Sequence, residues 1–439
     1  MKISSFLSIC LISTTTVFYA QNIDTPNLDL YLETLAKNQK FMGSVAISKD
    51  NKLVYKKAVG FKNVESKTVA DVDIQYKIGS ISKTFTATLI FKAIEEKKLT
   101  LDTKLSSYFP TIKNAEKITI KNLLDHTSGI YSITNDENYL SWNTKKWSEK
   151  ELVAKISSYE SEFEPNSKND YSNSNYILLS YILEKVYKKN FGEILENQIT
   201  KPLQLRETYF GEELKIKSQL AQSYTFNNGW KLETDTDFSI PMGAGGIVST
   251  PADLLLFFNA LTNNKIITKE SFAQMTTFSK RYGFGIFEIP FENHKGVGHD
   301  GSIDGFKSII TAFPEDKISY AMVSNASNYN MGLISETILN SVFNNKIEIP
   351  EFKTISFTDE ELNRFVGTYS GESLPLKITI SKDGLQLFAQ ATGQSALPLE
   401  AVEKNIFTFD LAGIKLIFQA ENNTMTLIQG GREFELKKE

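Results

Sequence analysis

Cysteine is almost missing from this chain of 439 residues: Cys10 is the only one, and it lies near the start. The fold therefore rests on no internal disulfide, and the chemistry uses neither a thiol nucleophile nor a cysteine-bound metal. Histidine is nearly as scarce, with only His126, His294 and His299. They fit no HExxH or comparable spacing, so no metal is expected, and nothing in the sequence asks for any other cofactor. Basic runs are absent too. The balance is 48 Lys and Arg against 52 Asp and Glu, a net charge of -4. A chain without a concentrated basic surface has no nucleic-acid partner to expect. Beyond the first twenty residues no apolar run is long enough for a stable membrane span.

Those first twenty, MKISSFLSICLISTTTVFYA, do stand apart. One lysine, an apolar stretch and a small residue, Ala20, are the layout of a secretory leader covering residues 1–20. Cleavage near Ala20 would place the mature chain in the periplasm or outside the cell. Phe18 is large for the small-x-small cleavage preference. Lipid attachment at Cys10 is disfavoured, because bulky Ile9 precedes it and apolar sequence follows.

Downstream, GSVAISKDNKLVYKKAVGF predicts a hairpin over about 41–61, turning at Asp50-Asn51. A helix is expected over Ser82–Lys97 and a short one in ITIKNLLDHTSGI, ending near Gly129. Further helices are expected over Tyr176–Tyr187, over Ala252–Leu261 behind the Thr250-Pro251 start, and over Tyr329–Phe343. RYGFGIFEIP, KGVGHDGSIDGF, KSIITAFPED and KISYAMVSNAS read as an antiparallel meander. Strands at both ends around a helical middle predict one mixed α/β domain, α+β in type, over 21–350. From 357 to 439 the pattern is almost all strand, with hairpins at Lys382–Gly384 and Glu421–Asn423. That tail predicts a small separate antiparallel β domain, a partial barrel.

Chemistry begins at IGSISKTFTA, Ile78–Ala87. Ser80 is the only serine in the chain with a lysine three residues on, Lys83. On a helix the two share a face. A lysine buried beside the positive end of a helix is pushed toward its neutral form and can take a serine proton. The plainer reading is a polar helix start with a lysine that is no part of the core. Tyr171-Ser172-Asn173 lies in a polar, turn-rich loop ahead of a helix and can present a phenol and an amide, or simply begin that helix. Gly298–Ser302, GHDGS, sets glycines on both sides of His299 in a strand, as a ligand approach or a bulge requires.

Taken in order, SxxK, YxN and HxG resemble the superfamily of serine β-lactamases and penicillin-binding proteins. The resemblance is greatest to its branch of class C β-lactamases, DD-peptidases, D-aminopeptidases and related esterases. LLDHTSGI, PLQLRET, AGGIVSTPADL and YGFG fit as well, so it spans about 30–343. It implies an antiparallel sheet flanked by helices, with an all-helical subdomain. It implies Ser80 as the nucleophile of an acyl-enzyme, with Lys83 and Tyr171 handling its proton. Asn173 would bind the substrate amide, and His299 and Gly301 stand where many relatives have Lys-Thr-Gly. The amides of Ser80 and Ser302 would form the oxyanion hole. His126 would organise a loop near the cleft, and His294 would be a solvated turn residue.

Histidine at position 299 sets the expected substrate. A lysine there offers a permanent charge to a carboxylate, whereas histidine is mostly neutral near pH 7. The expectation is an exported serine hydrolase acting on an amide or ester, foremost in peptides containing D-amino acids, cell-wall peptides among the candidates. A class C-like β-lactamase is the alternative within the chemistry. A non-catalytic cell-wall or β-lactam sensor is the alternative outside it. The loops 129–163 and 210–238 are expected to shape the cleft.

Overall fold

The computed structural model describes residues 23–211, 219–227, 229–353 and 355–439. The leader expected over 1–20 lies outside the described residues. The chain enters through a helix that the sequence reading did not anticipate, α1 (Thr25–Lys37). Its signals are ordinary ones. Asp24 caps it, Pro26 lies in its first turn, and Leu28, Tyr31, Leu32 and Leu35 bury one face.

The hairpin follows as β1 (Phe41–Lys49) and β2 (Lys52–Val59), with Asp50 and Asn51 both at positive φ in the turn. Three helices make the middle of the site: α2 (Ser82–Glu95), α3 (Asn173–Tyr187) and α4 (Pro251–Thr262). Thr250 caps α4 by accepting from the Asp253 amide. The later strands are β3 (Phe287–Glu288), β4 (Val297–Ile303), β5 (Phe306–Phe313) and β6 (Ile318–Ser327), followed by α5 (Met331–Val342).

Together the strands form one antiparallel six-stranded sheet in the order β3-β4-β5-β6-β1-β2. The hairpin from one end of the domain thus joins the meander from the other. Alternation along β6 and β1 divides the core. Ala46, Ile310, Ala321 and Val323 face α2, α3 and α4. Val45, Ile47, Tyr320 and Met322 face α1 and α5. Buried on both faces, β6 holds the centre of the sheet. No helix among the described residues is long and apolar enough to cross a membrane.

Two expectations are corrected. RYGFGIFEIP supplies only the two-residue strand β3, because Gly283 to Gly285 turn the chain against α2 instead of extending along the sheet. The short helix spans Ile120–Leu124 and does not reach Gly129. Asp125 ends it and His126 takes a left-handed backbone at φ 60°.

The tail is a closed eight-stranded barrel, from Gly367–Gly371 to Arg432–Lys438, and not a partial one. The first strand pairs with the last at Tyr369 and Lys438, so no edge is left open. Phe365, Phe407, Phe418 and Leu416 fill its centre. A buried cation ties it to the main domain. Lys40, only 5% exposed, meets Glu400 at 2.7 Å and Asp410 at 2.9 Å. Both partners belong to the barrel, and Lys40 immediately precedes β1.

Lys40→Met leaves Asp410 half-enclosed without its cation. Because Glu400 is 46% exposed, the cost should be about 1–2 kcal/mol and not that of a fully buried pair. Limited proteolysis should cut the 345–357 connection several times faster in this variant, with hydrolytic activity retained. Unchanged cutting would show that Lys40 is not the fastening point.

Candidate active site

Ser80 sits in a single 3-10 turn, Gly79–Ile81, that runs directly into α2. The helix is central to the domain: every residue from Ser82 to Phe91 is buried. A helix buried all round must satisfy its polar side chains internally. Thr84 donates to the Gly285 carbonyl at 2.6 Å and Thr86 to the Gly243 carbonyl at 2.8 Å. Ser82 accepts from the Ile247 amide at 3.1 Å. These bonds fix YGFG and the Gly243–Ile247 turn against α2, and so place the Ala244 carbonyl beside Lys83.

Contrary to the surface-lysine reading, Lys83 is fully buried. Its Nζ lies 2.9 Å from Ser80 Oγ, 2.8 Å from Asn173 Oδ1 and 2.8 Å from the Ala244 oxygen. Burial holds its pKa well below the ordinary lysine value, with Asp300 opposing. A neutral amine has two N–H groups and one lone pair. Asn173 Oδ1 and the Ala244 carbonyl can only accept, so they take both hydrogens. The lone pair then faces Ser80, whose O–H donates to Lys83. Asn173 is held in that orientation because its amide nitrogen donates to Thr134 at 2.9 Å.

Tyr171 closes the group from the loop before α3. Its hydroxyl is hydrogen-bonded to Ser80, and its ring centre lies 4.9 Å from Lys83 Nζ. Burial raises its pKa far above the ordinary tyrosine value, so the phenol stays protonated. A protonated phenol there can donate to Ser80 Oγ and is not an anionic base. His126 supports the loop beneath it. The imidazole lies 4.5 Å from the Tyr171 ring, and its Nδ1 accepts from the Ser172 amide at 3.2 Å. Burial, then Lys83 and His299, keep it neutral.

The strand β4 reaches Ser80 by backbone. A Cβ on Gly301 would lie 2.2 Å from the Ile78 oxygen and 3.0 Å from the Ser80 nitrogen. One on Gly79, at φ 49°, would lie 2.7 Å from the Ser302 nitrogen. Two glycines facing each other thus bring the Ser80 and Ser302 amides together. Ser308 on β5 completes the join by donating to the Ile78 carbonyl at 2.8 Å.

Beside this centre lies a cleft of about 640 Å³, and Ser80, Thr134, Asn173 and Ser302 are on its walls. The loops 129–163 and 210–238 supply much of the rest, Tyr139 and Glu233 among them. His299 is elsewhere. It is 1% exposed, lies beneath Phe287 at 4.2 Å and is not on the cleft wall. Its Nδ1–H donates to the Asp300 carbonyl at 2.5 Å, and among the described residues Nε2 has no hydrogen-bond partner. Burial and then Lys83 push its pKa down to about 3, so it is neutral. His294 is not a plain solvated turn residue: it meets Asp316 at 3.0 Å and stacks on Phe343 at 3.9 Å. The Ala244 carbonyl and Thr134 had no sequence signal, because one is backbone and the other an ordinary hydroxyl.

A serine hydrogen-bonded to a buried neutral lysine, with a protonated tyrosine beside it, is the centre of a serine hydrolase. The Beta-lactamase family model matches residues 29–340, and the chain belongs to that family. A teichoic acid D-alanine hydrolase from Staphylococcus aureus is 26% identical over 326 residues, 72% of this chain and 77% of that protein. The octameric penicillin-binding protein homologue from Pyrococcus abyssi superposes with a TM-score of 0.68 at 27% identity, covering 94% of this chain and 100% of the other. A D-stereospecific amidohydrolase from Streptomyces sp. gives a TM-score of 0.64 at 27% identity, covering 73% and 98%.

Four outcomes are expected from this geometry. Acylation by a fluorophosphonate should slow as pH falls through the lowered Lys83 pKa, since protonation removes the lone pair; a flat acid limb would dismiss Lys83 as the base. Lys83→Met should lose about 10²–10⁴-fold in acylation rate. Its stability relative to wild type carries a sign. Folded wild type binds fewer protons at Lys83 than the unfolded chain, so its stability should gain on the variant as pH rises toward 10.5. Urea unfolding of both proteins across that range checks it. Gly301→Ala should displace β4 from Ser80 and cost about 10²-fold in kcat, and a variant with unaltered kcat would separate the two amides from catalysis.

Proposed function

We propose that the protein is an exported hydrolase that cleaves an amide or ester of a D-amino acid through an acyl-enzyme on Ser80. The observation that carries this reading is the Nζ of fully buried Lys83 held 2.9 Å from the Ser80 hydroxyl. In acylation the Ser80 proton passes to Lys83 as Oγ attacks the carbonyl carbon. The carbonyl oxygen becomes an oxyanion against the Ser80 and Ser302 amides, an arrangement typically worth about 3–4 kcal/mol per donor. The scissile bond then breaks. The leaving amine or alkoxide takes a proton through Tyr171 and Lys83, which returns the lysine to its neutral form. In deacylation a water attacks the ester carbon and gives its proton to the same pair, and Ser80 leaves reprotonated. Asn173, on the cleft wall and braced by Thr134, is the substrate amide's partner.

The D-amino acid comes from the relatives, whose names specify D-alanine and D-stereospecific substrates. Neutral His299 agrees with it, since no cation stands at that position for a β-lactam carboxylate. Gly301 serves by leaving room for the Ser80 backbone, and His299 by packing behind the centre. Action outside the cell fits both the leader-like start and a relative acting on teichoic acid.

The test is a panel on purified protein: a D-alanyl ester, D-alanine amide, a D-Ala-D-Ala peptide and a penicillin. Turnover of a D-alanyl ester or amide at a kcat/KM about tenfold or more above that for penicillin is expected, with a mass adduct at Ser80 that Ser80→Ala lacks. Rapid penicillin hydrolysis with no D-alanyl turnover would favour a β-lactamase. Equal labelling of wild type and Ser80→Ala would end the acyl-enzyme reading.

A further inference from the structure

Among the described residues, Glu233 and Asp304 are the charged side chains that line the cleft, while Lys307, outside the lining, donates to Ser302 Oγ at 2.7 Å. The two carboxylates differ in state. Asp304 is 3% exposed and already paired: Lys77 Nζ lies 2.8 Å away, and Thr236 donates to it from its amide at 3.0 Å and its hydroxyl at 2.7 Å. Lys77 is itself buried and spends its remaining charge on Asp235 at 2.6 Å. Glu233 is half-buried, and one of its oxygens accepts from the Thr234 amide at 3.0 Å. Among the described residues it has no ion-pair partner.

An unpaired carboxylate on a cleft wall attracts a substrate cation and repels a substrate anion. We propose that Glu233 sets specificity by receiving the ammonium of a D-aminoacyl ester or amide whose amino group is free. Blocked peptides and carboxylate-bearing substrates are disfavoured at the same place. The apolar wall from Ile133, Ile177 and Ile240 leaves the side chain of that amino acid an unpolar seat, so Glu233 is the group that reads charge. This inference rests on the hydrolase reading above and names the polarity of its substrate: the amino acid is attacked at an unblocked terminus. Asp304 does not compete for the ammonium, because Lys77 and Thr236 occupy its oxygens.

The test compares D-alanine p-nitroanilide with N-acetyl-D-alanine p-nitroanilide on the full chain, in wild type, Glu233→Gln and Glu233→Lys. Wild type should favour the free amine by about tenfold or more in kcat/KM, expressed mainly in KM, as a charge-assisted contact requires. Glu233→Gln should bring the two substrates to within about threefold, and Glu233→Lys should reverse the order. A preference unchanged in both variants, or a wild type that favours the acetylated compound, overturns the role of Glu233. The acetylated compound has no ammonium, so Ser80-dependent cleavage of it alone sinks this inference and leaves the hydrolase reading standing. Cleavage of neither compound overturns both.

Discussion

Everything at the centre depends on keeping Lys83 dry. An exposed lysine would be charged near neutral pH and could only donate to Ser80. Burial in α2 removes the proton, and hydrogen-bond arithmetic then turns the lone pair toward the serine. The surrounding fold can be understood as the means of that burial. The threonines of α2 hold the Gly243–Ile247 turn and YGFG in place, Asn173 comes from the start of α3, and the Tyr171 and Tyr176 rings lie within 5.8 Å of Nζ. The amine is one bridge among α2, α3 and the turn before α4, so catalytic state and local packing are inseparable. In a chain with no thiol past residue 10 and three histidines, a lysine that the fold dehydrates is the group able to accept the Ser80 proton.

Neutrality extends beyond the lysine. His126 and His299 are both driven to the uncharged form, partly by Lys83, and Tyr171 keeps its proton. Lys83 and His299 oppose each other's protonation, so a second proton at position 299 would work against any charge arising on Lys83 during acylation. A neutral imidazole there lets the lysine cycle between its two forms. That ring is held by packing, with Phe287 tilted against it at 4.2 Å.

The sequence was most informative where a side chain acts through local spacing. Ser80 and Lys83 three apart, the Asp50-Asn51 turn, the Thr250-Pro251 helix start and the alternation in the tail all correspond to short-range rules, and the structure follows each. It was least informative where an atom matters because of what lies far away in the chain. The Ala244 carbonyl carries no residue-type signal, and its position depends on Thr86 meeting Gly243. The burial of Lys83 was legible only as one of two readings, since its environment comes from α3 and α4. Closure of the tail into a barrel was missed for a related reason: pairing between Tyr369 and Lys438 is the most distant in the domain. His294 was misread because Phe343 and Asp316, its partners, are 49 and 22 positions away.

The arrangement of charge separates two tasks that compete in a small active site. Proton transfer needs a low-charge, dehydrated centre, while recognition of a charged substrate needs an ion. Placing an ion next to Lys83 would shift the very pKa on which acylation depends. Here Glu233 and Asp304 stand on the cleft wall, whereas the amine of Lys83 is hydrogen-bonded only to neutral groups. Lys77, buried a few residues before Ser80, neutralises the carboxylate nearest the β4 backbone and leaves the half-buried one unpaired. Recognition can therefore vary in the 210–238 loop without disturbing the Ser80–Lys83 pair. That independence follows from the fold: among the described residues, the loop contributes Glu233, Thr234 and Thr236 to the cleft wall and no hydrogen bond to Lys83 Nζ.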